Sequence, residues 1–258
     1  MARVLVTGSA DGLGRLAAGQ LADAGHEVIL HARTARRAED ARRAVATAAG
    51  AVTGDLASVE EVRRMADQAV AAGPLDAVIH NAGVGFRYPQ RVVTSDGLEQ
   101  HFAVNVLAPY LLTALVPAVR LVYLSSGMHR GAVADFDDLQ WERRRWNGSR
   151  AYAESKFLDV VLASAVARRW PTTRSNAVEP GWVATKMGGP GAPDDLDLGG
   201  DTQAWLAAGE DPATEVSGRY FYHRQLRDSD PLTGDHGIQD DLLAVCGELT
   251  GVKLPLAS

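Results

Sequence analysis

Tyr152 and Lys156 lie four residues apart in a segment, 151–169, whose apolar spacing predicts a helix. That spacing puts both side chains on one helix face. A free phenol keeps its proton to about pH 10. A neighbouring ammonium stabilises the phenolate and draws the group toward neutral pH. A phenol tuned in this way can give or take a proton in general acid–base chemistry. Tyr-x-x-x-Lys also arises often by chance, and an unrelated surface pair is the plain alternative. Ser126 ends a short apolar run at 121–124, where its hydroxyl can hydrogen-bond a carbonyl and steady a developing alkoxide. Asn105 falls inside a second helical segment, although asparagine is a poor helix former.

These residues need a frame. Short apolar runs predict strands at 3–6, 28–30, 51–52, 76–80, 121–124, 174–178 and 218–222. Helical patterns alternate with them at 13–24, 36–48, 58–72, 96–116, 151–169 and 238–249. Ser58 and Glu61 predict a capping box at the start of the third helix. The alternation predicts one α/β domain over 1–258, a doubly wound parallel sheet of about seven strands with helices on both faces. Two stretches fit no regular element: 127–150, polar and tryptophan-bearing, and 188–204, rich in Gly, Pro and Asp. Both leave the carboxyl edge of the sheet, where open α/β folds bind ligands, and both are read as substrate loops. Trp141, Trp146, Trp182 and Trp205 lie in or near them and suggest an apolar pocket or ordinary packing.

The first strand runs into Thr7-Gly8-Ser9-Ala10-Asp11-Gly12-Leu13-Gly14 and then a helix. Glycines there let the backbone approach a pyrophosphate, and the helix start offers unpaired N–H groups. The spacing differs from Gly-x-Gly-x-x-Gly, so a plain glycine-rich turn stays open. After the second strand, Ala32 stands about where an acidic residue would hold the ribose of NAD. Arg33 follows, a bidentate partner for a 2′-phosphate, which favours NADP(H) over NAD(H). Asp11 mildly opposes a phosphate. Asp55 can accept from an adenine amino group or cap a helix.

The chain resembles the short-chain dehydrogenase/reductase family. The resemblance rests on TGSADGLG at 7–14, GDL at 54–56, NAG at 81–83, Asn105, Ser125-Ser126, Tyr152 with Lys156, and Pro180-Gly181 with Val183 and Thr185. These occur in the family's order and span nearly the whole chain. FDDLQWE at 136–142 resembles the retinol-dehydrogenase-like branch, which tends to use NADP(H). The resemblance implies a Rossmann-type fold and hydride transfer between a nicotinamide and a carbonyl or alcohol, with Tyr152 as acid/base. It implies that Ser126, not Ser125, is catalytic, and that Asn105 holds a water behind Lys156. The cofactor would meet Gly8, Ser9, Asp11, Gly12, Leu13, Gly14, Arg33, Asp55, Leu56, Asn81, Ala82, Gly83, Tyr152, Lys156, Pro180 and Gly181. Val183 and Thr185 would touch its carboxamide. The stretch from Asn105 to Ser126 is several residues shorter than usual in that branch. This bears on the helix that often makes the family's dimer, so a homo-oligomer stays open.

Composition narrows the alternatives. Net charge is -6 with no basic stretch, against nucleic-acid binding. Arg143-Arg144-Arg145 reads as a solvated run. No apolar run spans a bilayer. The one cysteine, Cys246, reads as buried packing and fits a reducing, cytoplasmic compartment. His80, His101 and His129 lack ligands at metal spacing, so no metal is expected. The partner expected is a small, lipophilic carbonyl or alcohol. Two other readings are a non-enzymatic dinucleotide sensor, whose relatives usually lose the tyrosine or lysine, and a sugar-nucleotide epimerase, which expects a longer carboxyl-terminal region.

Overall fold

In the computed structural model, which describes residues 1–255, the central runs Val4-Leu5-Val6 and Ala77-Val78-Ile79 are buried on both sides. Only a sheet covered on both faces accommodates such strands. The sheet has eight strands: β1 (Arg3–Val6), β2 (Glu27–Ala32), β3 (Gly50–Thr53), β4 (Ala77–His80), β5 (Arg120–Leu124), β6 (Arg174–Glu179), β7 (Tyr220–Tyr222) and β8 (Gln225–Arg227). Their order is β3-β2-β1-β4-β5-β6-β7-β8. All neighbours pair parallel except β7 with β8. One face carries α1 (Gly12–Asp23), α2 (Ala35–Ala44) and α6 (Leu196–Ala208). The other carries α3 (Val59–Ala71), α4 (Ala108–Leu115), α5 (Gly148–Arg169) and α7 (His236–Thr250). The order reverses between β1 and β4, which opens a crevice at their carboxyl ends.

The departures from expectation have local causes. The eighth strand, β8, is short and exposed along its length, so no alternation marks it. His223 and Arg224 turn the chain into it at φ 49° and 59°, the left-handed pair that suits a two-residue hairpin. The stretch read as a loop over 188–204 includes the start of α6, capped by Asp195. Gly199 and Gly200 are packing residues within it. A Cβ at Gly200 would come within 3.0 Å of Leu16, and one at Gly199 within 2.7 Å of Leu13. Trp205 accordingly sits on α6 against Phe221, not in a substrate loop.

The helix expected over 96–116 begins late. Thr94 to Gly97 forms a turn, and Phe102–Leu107 then winds as a π-helix before α4. Pro109 has no N–H for the Asn105 carbonyl, which loosens the ladder there. Only half of the capping box forms. Ser58 accepts from the Glu61 N–H, while the Glu61 carboxylate accepts from the Asp55 N–H. The 127–150 segment is ordered by charge. Asp138 accepts from the N–H groups of Glu142, Arg143 and Arg144, and the Arg144 guanidinium continues to Glu154 on α5.

Candidate active site

A cleft of about 710 Å³ runs along the carboxyl ends of the strands. At one end the loop after β1 is fixed by neighbours. Gly8 has φ +65°, and a Cβ there would lie 2.9 Å from the Ala82 Cα, so the position excludes a side chain. Asn81 donates to the Thr7 carbonyl at 2.8 Å, and the Ala82 N–H donates to the Thr7 hydroxyl at 3.0 Å. Gly14 packs on Asn81 and on the Gly8 backbone, outside the cleft wall. Ser9 is fully buried and accepts from the His31 N–H, so its hydroxyl faces the sheet.

Asp11 stands at the N-cap of α1 but caps nothing. Its carboxylate meets Lys186 at 2.7 Å and Arg37 at 2.9 Å. The Lys186 ammonium, with Arg37 behind it, holds that carboxyl below the usual range. Helices α2, α3, α5, α6 and α7 all have side-chain caps, whereas the first-turn N–H groups of α1 have none. An uncapped helix start on a cleft wall fits a pyrophosphate. Arg33 and Asp55 face each other at 3.9 Å on the same wall. Asp55 also accepts from the Ala57 N–H in the turn before α3, whose cap is Ser58, so it does not cap that helix. Leu56 and Gly83 complete this side.

At the other end Tyr152 and Lys156 enter the cleft from α5. Tyr152 is 7% exposed, with the Phe86 ring at 5.9 Å and the His101 ring at 6.5 Å. The Lys156 Nζ lies 5.9 Å from the Tyr152 ring centre. Pro180 and Thr185 line the wall opposite. Gly181, at φ +86°, packs on Asp194, and Val183 is buried against Gly199 outside the wall. Ser125 lines the cleft, but its hydroxyl donates to the Lys156 carbonyl at 2.8 Å, a structural role. Ser126 lies just beyond, half-buried, its Oγ accepting from the Met128 N–H at 3.3 Å. Asn105 lies behind the wall. It donates to Ser155 Oγ at 2.8 Å and accepts from the Val84 N–H at 2.8 Å, tying the loop after β4 to α5.

One cleft therefore joins an uncapped helix start to a tyrosine–lysine pair across the switch point of a parallel sheet. The family profile described as short chain dehydrogenase matches residues 2–195. The chain belongs to the short chain dehydrogenase family. It is 41% identical to the short-chain dehydrogenase chyC of Penicillium rubens over 99% of this chain and 100% of that one. It is 31% identical to human retinol dehydrogenase 13, over 98% and 85% of the two chains, as the resemblance to that branch implied. The crystal structure of a protein from Mycobacterium paratuberculosis superposes with TM-score 0.86 at 28% identity, covering 99% of this chain and 96% of the other.

Arg15, His31 and Lys186 are among the residues of this short chain dehydrogenase cleft that the sequence motifs do not single out. His31 accepts from the Gly8 N–H at Nδ1 and meets the Gly54 carbonyl at Nε2, both at 2.9 Å. Its place at the end of β2, beside the glycine loop, was the available clue. Lys186 had none, because its partner Asp11 is 175 positions away in sequence.

Proposed function

We propose that the chain is an NADP(H)-dependent oxidoreductase that interconverts a ketone or aldehyde with an alcohol, using Tyr152 as acid/base. The observation that carries this reading is the single cleft that holds both the open start of α1 and the Tyr152–Lys156 pair. A bound nicotinamide would supply or accept the hydride. The chain's own groups handle the proton and the oxygen. Tyr152 gives its proton to the carbonyl oxygen in reduction and takes it back in oxidation. Ser126 donates to the same oxygen and steadies negative charge as it develops. Lys156 keeps positive charge beside the phenol, and Asn105 holds the backbone behind it.

The preference for NADP(H) rests on the end of β2. Ala32 places no carboxylate there, and Arg33 is largely exposed with only a distant contact to Asp55. Its guanidinium is free to pair with a 2′-phosphate. The aromatic rings about Tyr152, and Met187 seated against Gly85, favour a lipophilic carbonyl substrate. No helix among the described residues is long and apolar enough to cross a membrane. The single buried cysteine suits a cytoplasmic setting.

The test is NADPH consumption with a panel of lipophilic ketones and aldehydes, for the parent and for Tyr152→Phe. Loss of the proton donor should cut turnover by roughly 10²–10⁴-fold while NADPH binding persists. A phenylalanine variant that keeps most of the activity would remove Tyr152 from the mechanism.

A further inference from the structure

Lys156 does not simply point into the cleft. Its ammonium donates to the Leu124 carbonyl at 2.7 Å and to Asp159 Oδ2 at 2.7 Å. Lys156 is 5% exposed and Asp159 is 2% exposed. Three residues apart on α5, they form a buried ion pair under the floor of the cofactor cleft. An ammonium has three N–H donors. Two are held by the interior, which leaves one for the cleft. The Nζ also lies close to the Gly83 backbone, since a Cβ built there would be 3.6 Å away.

A buried ammonium without a counter-charge is costly and tends to shed its proton. We propose that Asp159 is a positioning residue: its carboxylate keeps Lys156 charged and anchored so that one N–H faces the cofactor. The other groups around Asp159 do not replace it. Tyr123 approaches from β5 as a buried phenol, its hydroxyl bonded to Thr113. His80 of β4, stacked on Tyr123, is held neutral by burial, well below the usual histidine range. Lys156 is therefore the cation that answers Asp159. Burial pushes the Asp159 carboxyl up to about 7, against the pull of the ammonium. Acidification therefore drives the Asp159 carboxyl toward the neutral state that an asparagine imitates.

The inference rests on the proposed dinucleotide site, and binding alone tests it. NADPH is titrated by fluorescence into the parent, Asp159→Asn and Asp159→Glu from near pH 6 to near pH 9. At the acid end the parent and Asp159→Asn should bind alike. Toward pH 9, where the parent carries the Asp159 carboxylate, the Asn variant should weaken by about tenfold relative to it, because the buried ammonium has lost its counter-charge. Asp159→Glu, which keeps the charge, should follow the parent's pH dependence. Adding Lys156→Met to both the parent and Asp159→Asn should abolish the difference between them. A constant ratio across the range, or a Glu variant that behaves as Asn, would overturn the positioning role, because a purely structural loss does not follow pH. A parent that binds no NADPH at any pH would instead overturn the proposed function.

Discussion

His31 shows how one protonation state can hold a loop. Its Nδ1 accepts from the Gly8 N–H, so its proton sits on Nε2 and is donated to the Gly54 carbonyl. The glycine loop and the end of β3 are thus linked through a neutral ring. Burial holds His31 below the usual histidine value near 6.5, whereas the unfolded chain titrates at that value. The unfolded state therefore takes up protons first as pH falls. His31's contribution is complete above about 6.5 and is lost as pH drops through its folded value. Thermal unfolding from pH 7 to 5 should show a falling Tm. His31→Gln should start lower, by about 1–3 kcal/mol for the broken buried bonds, and fall less steeply. An unchanged slope in the variant would assign the pH dependence to His80 and His129, which burial also holds low.

At the scale of elements, the start of α1 and the loop before it form one unit. Gly8 and Gly12 both have positive φ, but only Gly8 faces backbone at close range. The nearest atom to a Cβ at Gly12 would be a Thr185 methyl at 3.9 Å. Alanine at either site incurs left-handed strain of about 1–2 kcal/mol. At Gly8 it must also push Ala82 away, so the loop itself should move. Gly8→Ala should therefore lose more Tm and more NADPH affinity than Gly12→Ala. Equal effects would mean that the approach of Gly8 to Ala82 does not shape the site. Helix α3 was legible because its apolar face repeats, and α5 because of its length and its run of good helix formers. The elements missed or misplaced lacked that repeat. Helix α6 opens on glycines chosen for contact with α1, β8 has no buried face, and the π-helix at Asn105 follows from Pro109.

The whole molecule explains why the proposed catalytic residues stood out in the sequence and their supports did not. Tyr152, Lys156 and Asn105 sit at motif positions on regular elements, so local pattern found them. Asp11 with Lys186, His31 with Gly54, and Ser125 with the Lys156 carbonyl meet only when distant segments converge at the sheet's carboxyl edge. Ser9 and Val183 carry motif identity, yet the fold turns them into the packing. The same scale bears on assembly. Helix α5 is buried through most of its length, and α7 packs against it on the outer side. Tyr110 donates to the Val252 carbonyl at 2.7 Å, which fastens the segment after α7 over α4. That face is already covered within the chain.

Calorimetric titration tests most directly whether the cleft takes a 2′-phosphorylated dinucleotide. NADPH and NADH are titrated into the parent and into Arg33→Ala. NADPH should bind more tightly than NADH, by about 1.5–3 kcal/mol for the charge-assisted pair, with that margin lost in Arg33→Ala. Equal or tighter binding of NADH by the parent would contradict it.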